Sequence, residues 1–268
     1  MSATIALLGV GKLGEALLSG LIRSGTAPQS LIGAEKHAER AAEIAERYGV
    51  RTAEAPDAVA EADVVLLAVK PQDMRTLLAE VAGSVRPGTL VVSMAAGIPS
   101  ALVEELLPDG TPVVRVMTNT PVFVDEAMSA LSAGSHAGPE HLETVEALLS
   151  PVGKVVRVPE SQQDAVTALS GSGPAYFFFL VEAMIDAGIL LGLPRAVAAE
   201  LIVQTAVGSA RMLRESGEHP VVLREAVTSP GGTTISAIRV MEDRGVRAAM
   251  LAALEAARDR SRELAAGG

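Results

Sequence analysis

Residues Leu7 to Ala16 read "LLGVGKLGEA", with Gly9, Gly11 and Gly14 in G-x-G-x-x-G spacing. The apolar run "TIALLG" leads into this loop, and the helical pattern "KLGEALLSGLIRSG" leads out of it. Three glycines between a strand and a helix carry far more meaning than three glycines alone. Gly9 permits a tight turn, Gly11 lets the backbone approach a pyrophosphate, and Gly14 allows the helix to pack closely on the strand. The free N–H groups and macrodipole at the helix start favour the phosphate charge. Leu8, Val10, Lys12 and Leu13 complete this candidate cofactor loop.

The same alternation continues downstream. "SLIGAE", "DVVLLAV", "TLVVSMAAG" and "PVVRVMTN" read as strands, with "HAERAAEIAERYG", "QDMRTLLAEVAG" and "PSALVEELLP" as the helices between them. Shorter strands are expected at "AMSALSAG" and "GKVVRVP", around the helix "PEHLETVEALLS". Strands separated by crossover helices call for parallel pairing, hence an α/β doubly wound sheet. After Glu160 no strand pattern recurs and every segment reads as helix, so a boundary is expected there with an all-α remainder.

Composition narrows the function classes. The chain has 268 residues, 49% hydrophobic but only 2% aromatic, so its core is aliphatic. A net charge of -10 argues against a nucleic-acid partner, which needs clustered bases. The absence of Cys excludes thiol catalysis and disulfides and fits a cytoplasmic protein. No signal-peptide pattern opens the sequence. The run "AYFFFLVEAMIDAGILLGL" carries Glu182 and Asp186, which favour a buried helix over a membrane span. The helix "AVAAELIVQTAVGSARML" is apolar on nearly every face, and a small helical domain has little interior for it. Self-association through that domain is therefore expected.

Ligand-binding candidates gather at strand ends. Glu35, in "GAEKH", is the acid expected to hold a ribose hydroxyl, while Lys36 and His37 are bases able to receive a 2′-phosphate. That leaves the choice between NADPH and NADH open. Ala68, Val69, Lys70 and Pro71 end one strand, Ala95, Ala96 and Gly97 the next, and Asn119 the one after. His37, His136, His141 and His219 are scattered and show no triad or metal spacing. Hydride transfer needs no protein nucleophile, because the cofactor carries that chemistry. Two glycine-rich stretches, "LSGSGPAYF" and "TSPGGTTISAI", each precede a helix. In the second, Ser229, Gly231, Gly232, Thr233 and Thr234 frame a helix N-terminus whose bare N–H groups suit a carboxylate.

With "GVGKLGEA", "AVKPQ", "MAAGI", "VVRVMTNTP", "LSGSGPAY" and "EAVTSPGGTTISAI" in this order, the sequence resembles the pyrroline-5-carboxylate reductases from about Ile5 to Leu264. The resemblance implies reduction of Δ1-pyrroline-5-carboxylate to L-proline by NAD(P)H, the last step of proline synthesis, with NADPH slightly favoured. It implies a Rossmann domain over residues 1–160 and a helical substrate and dimerisation domain over 161–268, assembled as a dimer or a ring of dimers. It makes Thr234 the catalytic hydroxyl facing the substrate nitrogen. Ser229, with the backbone before Thr234, becomes the carboxylate cradle, and Glu218 and Glu160 become acids near the substrate. In "TAEAPDAV" the chain offers Ala55 or Pro56 where many members have an Asn against the cofactor, and Lys12 replaces a neutral residue. A β-hydroxyacid or other imine reductase is the nearest alternative. Such enzymes use a Lys of the second domain, and no Lys follows Glu160 here. A non-catalytic dinucleotide sensor is the alternative from another class.

Overall fold

The computed structural model describes residues 3–265. These form two compact units, one of residues 3–172 with 257–265 and one of residues 173–256. The expected limits at residues 1 and 268 lie outside the described residues.

The first unit opens with β1 (Ile5–Leu8), α1 (Lys12–Arg23), β2 (Leu31–Ala34), α2 (Ala38–Tyr48), β3 (Arg51–Thr52) and α3 (Ala55–Glu61). It continues with β4 (Val64–Leu67), α4 (Met74–Val81), β5 (Leu90–Ser93), α5 (Ser100–Leu106) and β6 (Val113–Met117). Then come β7 (Ala127–Ala133), α6 (Pro139–Leu149), β8 (Gly153–Arg157) and α7 (Gln163–Val166). The eight strands make one sheet in the order β3-β2-β1-β4-β5-β6-β7-β8. Chain order reverses between β1 and β4, the switch point at which doubly wound sheets open a crevice.

Apolar residues on both strand faces explain the layering. On β1, Ile5 and Leu7 pack under Leu17 and Leu21 of α1, while Ala6 and Leu8 pack with Val59 of α3 and Leu78 of α4. The same two-residue alternation divides β4 and β5 between these cores, as period-2 geometry requires.

Two elements depart from the sequence reading. Pairing is parallel throughout except for β6 with β7. Residues 118–126 join those two strands, a connection too short for a crossover helix. The chain therefore turns back, and α6 supplies the crossover that makes β8 parallel to β7. Secondly, "SQQDAVTALS" is not one regular helix. It starts as a 3₁₀ turn, passes through α7 and widens into a π-helical segment at Thr167–Gly171.

Polar side chains hold that irregular stretch to the sheet. Gln163, fully buried, donates through Nε2 to the Ala130 carbonyl and to Ser132 Oγ at 2.8 Å. Glu160 Oε1 accepts from the Ser100 N–H at 2.7 Å and from Arg115 at 3.2 Å, and its Oε2 accepts from the Ser100 hydroxyl. Arg115 is 5% exposed, so this carboxylate neutralises a buried charge.

The second unit contains α8 (Gly173–Leu190), α9 (Arg195–Ser216), α10 (Pro220–Ala226) and α11 (Thr233–Asp243). The first turns of α12 (Val246–Ala265) belong to it as well. The α8–α9 hairpin closes tightly, because a Cβ on Gly188 would lie 2.9 Å from that of Ala198. The buried side chain within it is that of Ala198, while Phe177, Phe178 and Phe179 are 64%, 69% and 70% exposed. By length and composition, residues 160–190 and 195–216 are long and apolar enough to cross a membrane.

Glu160→Ala strands the buried Arg115 charge and uncaps α5. The expected loss is roughly 2–3 kcal/mol in urea unfolding. A loss below about 0.5 kcal/mol, the level of an ordinary surface change, would show that Arg115 does not depend on this carboxylate.

Candidate functional site

A cleft of about 500 Å³ opens at the carboxyl ends of β1, β2 and β4. Of the expected cofactor residues, it brings together Leu8, Gly9, Gly11, Glu35, Lys36, Ala68, Val69 and Lys70, along with His37. Gly9 has φ +89°, and a Cβ there would stand 2.8 Å from Val69 Cγ1. A Cβ on Gly14 would meet the Gly9 carbonyl oxygen at 2.2 Å, which no side chain tolerates. Gly11 has open space where a Cβ would stand and caps α1 without any side-chain bond. The first-turn N–H groups of α1 are thus left for an anion. These three environments fit a dinucleotide pyrophosphate.

The rest of the expected set lies around this cleft. Val10 is buried beneath the loop, Lys12 and Leu13 begin α1, and Pro71 starts the single 3₁₀ turn after Lys70. Ala95, Ala96 and Gly97 follow β5 at the same edge of the sheet, with Gly97 at φ +72°. Asn119 follows β6, but its amide turns inward. Oδ1 accepts from the Met128 N–H at 2.9 Å, and Nδ2 donates to the Ser170 carbonyl and hydroxyl at 3.2 and 3.3 Å. Asn119 therefore clamps the π-helical segment, and the geometry does not aim it at a cofactor. Glu160 likewise has both oxygens engaged by Ser100 and Arg115 and acts here as a cap and counter-ion.

Sequence reasoning missed Ala53, Glu54, Gln72 and Asp73, which also line the cleft. The first two follow β3, only two residues long and too short to leave a periodic signal. Pro56 near the start of α3 was the available cue, since Pro favours the first helical turn.

In the second unit, "TSPGGTT" forms a turn closed by the Gly232 N–H donating to the Ser229 carbonyl at 3.1 Å. Gly231 takes φ +69°, and Ser229 Oγ lies where a Gly232 Cβ would stand, at 2.4 Å. Gly232 caps α11 without a side-chain bond, so no cap covers the N–H groups of Thr233 and Thr234 in the first turn. Thr233 and Ser229 are exposed and Thr234 is half-buried. Glu218 is exposed just after α9, its N–H donating to Ser216 Oγ.

Two family models match the chain. Residues 4–97 match "NADP oxidoreductase coenzyme F420-dependent", and residues 160–264 match "Pyrroline-5-carboxylate reductase dimerisation". A pyrroline-5-carboxylate reductase of Corynebacterium melassecola is 48% identical over 97% of this chain and 98% of its own. The chain belongs to the pyrroline-5-carboxylate reductase family. A solved pyrroline-5-carboxylate reductase from Coxiella burnetii, 35% identical, covers 98% of this chain and 99% of its own with a TM-score of 0.92. The Plasmodium falciparum pyrroline carboxylate reductase, solved with NADP bound, shares the fold at a TM-score of 0.90 and 24% identity, covering 98% of each chain. A nicotinamide cofactor follows for this reductase-family chain.

Gly14→Ala forces α1 away from the Gly9 carbonyl. Titration of NADPH or NADH by nucleotide fluorescence is expected to show binding weakened at least about tenfold. Unchanged affinity would place the pyrophosphate elsewhere.

Proposed function

We propose that the protein reduces Δ1-pyrroline-5-carboxylate to L-proline at the expense of NADPH or NADH, with NADPH slightly favoured. The observation that carries this reading is the pairing of a glycine-built dinucleotide cradle with an uncapped, glycine-framed helix N-terminus in a chain of this reductase family. We take residues 1–160 as the dinucleotide-binding part and 161–268 as the substrate and dimerisation part.

When bound, the nicotinamide supplies the hydride that reduces the C=N carbon. The chain's own residues do the rest. Gly9, Gly11, Gly14 and the start of α1 hold the pyrophosphate, and Glu35, Lys36 and His37 face the adenosine ribose. Ser229, Gly231, Gly232 and Thr233 cradle the substrate carboxylate, with Glu218 beside it. Thr234 is the catalytic hydroxyl, set to hydrogen-bond the ring nitrogen as that atom acquires its proton. An unactivated Thr hydroxyl is a poor acid, so it orients the nitrogen and relays a proton drawn from water. The apolar faces of α8 and α9 are subunit-packing surfaces of a dimer or ring of dimers in the cytoplasm, in preference to a membrane span.

The test is oxidation of NADPH and of NADH by the purified protein, with and without the pyrroline. Substrate-dependent oxidation supports the reading, and none would favour a dinucleotide sensor. Thr234→Ala is expected to lower kcat about 10²-fold with the nucleotide Kd unchanged. Undiminished kcat in that variant removes Thr234 from the mechanism.

A further inference from the structure

Both backbone groups of Val10, at the centre of the glycine loop, are held by side chains of the second strand-helix unit. The Val10 N–H donates to Glu35 Oε2 at 3.1 Å, and Glu35 Oε1 accepts from the His37 N–H at 3.2 Å. The Val10 carbonyl accepts from Arg40 Nε at 3.2 Å. The other guanidinium nitrogens of Arg40 bind Glu43 at 2.7 Å and the Glu15 carboxylate. Glu15, in the first turn of α1, also accepts from Arg47 at 2.8 Å and from the Tyr48 hydroxyl at 2.7 Å. Arg40 thus reaches from α2 to the loop and to the helix that follows it.

We infer that Arg40, seated by Glu15, is a positioning residue that aims the Gly11 N–H at the cofactor pyrophosphate. No cis peptide occurs among the described residues, so the Val10–Gly11 bond is trans and its C=O and N–H point in opposite directions. Fixing the Val10 carbonyl on Arg40 therefore fixes the Gly11 N–H away from α2. Gly11 lines the cleft and nothing lies within 4 Å of the place its Cβ would take, so a ligand can approach that backbone closely. Glycine loops are mobile because glycine restricts few backbone angles. A planar guanidinium with three fixed partners removes that freedom before the ligand arrives.

Glu15 is suited to keep Arg40 in place across the working pH range. Burial raises its carboxyl pKa, but the Tyr48 hydroxyl, Arg40 and Arg47 more than offset this and hold it below the ordinary value. Arg40 is correspondingly raised by its bonds to Glu43 and Glu15. The Glu15 group stays ionised at neutral pH, and its support is lost only as pH falls through its depressed value.

The inference rests on the cofactor site of the proposed reductase but needs no pyrroline for its test. The full-length protein is titrated with NADPH and NADH by nucleotide fluorescence, beside steady-state kinetics. Arg40→Met keeps the aliphatic stem and removes every guanidinium bond. It is expected to raise Kd and KM for both nucleotides about tenfold, with kcat and the pyrroline KM within twofold of wild type. Tyr48→Phe removes a bond to Glu15 without reaching the loop, and is expected to lower Tm while leaving both Kd values within twofold. Wild-type Kd in Arg40→Met overturns the inference, as does an equal rise of Kd in both variants. If Arg40→Met does not fold, Arg40→Lys is titrated instead. One ammonium cannot span Val10, Glu15 and Glu43, so an intermediate rise is expected and none would overturn the inference. Absence of pyrroline reduction by the wild type would sink the proposed reaction while leaving the nucleotide titration readable.

Discussion

The approach of Gly14 to the Gly9 carbonyl is the constraint from which the first unit is built. A hydrogen in place of a methyl at residue 14 lets α1 start directly against the end of β1. Leu17 and Leu21 can then reach Ile5 and Leu7, closing one core of the sheet. Gly11, the N-cap three residues before Gly14, leaves the helix start with no side chain over its N–H groups. Close packing and a bare helix start are therefore results of missing Cβ atoms within one short loop.

A second constraint acts on the other side of the switch point. Ser93, Arg115 and Ser132 stand in cross-strand register on β5, β6 and β7, a polar row where β1 and β4 carry aliphatic side chains. Such a row cannot be covered by an ordinary apolar helix, because each buried polar group needs a partner. Residues 160–170 answer Arg115 with Glu160 and Ser132 with Gln163, and Asn119 holds Ser170, while the buried Ser93 hydroxyl has no hydrogen-bond partner among the described residues. Gly171 also admits the Met117 methyl so closely that a Cβ would lie 2.2 Å from it. The π-helical widening of this stretch sits where these contacts fix it, an irregularity of the kind found near functional sites.

How legible this was in the sequence depended on the range of the signal. The glycine loop, the buried strands and the helix breaks at Gly25 and Gly49 are local, and both glycines adopt positive φ as their positions demand. The antiparallel β7 was not legible from its own residues, since "AMSALSA" pairs equally well either way. Only the shortness of the connection before it decides the direction. Asn119 and Glu160 are chemically capable by residue type, yet Ser170, which the Asn119 amide holds, lies 51 residues away, and the partners of Glu160 lie 45 to 60 residues away. Nothing in spacing reveals that those amide and carboxylate groups are already engaged. The Arg40 clamp on Val10 is of the same kind, hidden behind a separation of 30 residues and a helix that reads as an ordinary charged surface.

The helical unit inverts the usual relation between sequence and burial. Its helices carry Phe177, Phe178, Phe179, Leu201 and Val207, all more than half exposed in the single chain. Covering one such Phe is worth about 2 kcal/mol, so several together offset much of the cost of ordering two subunits against each other. Exposed apolar faces of this kind mark an interaction surface, and the matching family model is that of a dimerisation region over residues 160–264. Glycine-framed turns such as Ser229–Gly232 would be poorly fixed on a loose helical unit, because Gly231 restrains its own backbone so little. Self-association therefore does more than hide apolar area. Covering the apolar faces of the helical unit also restricts the motion of the helices that frame such a turn.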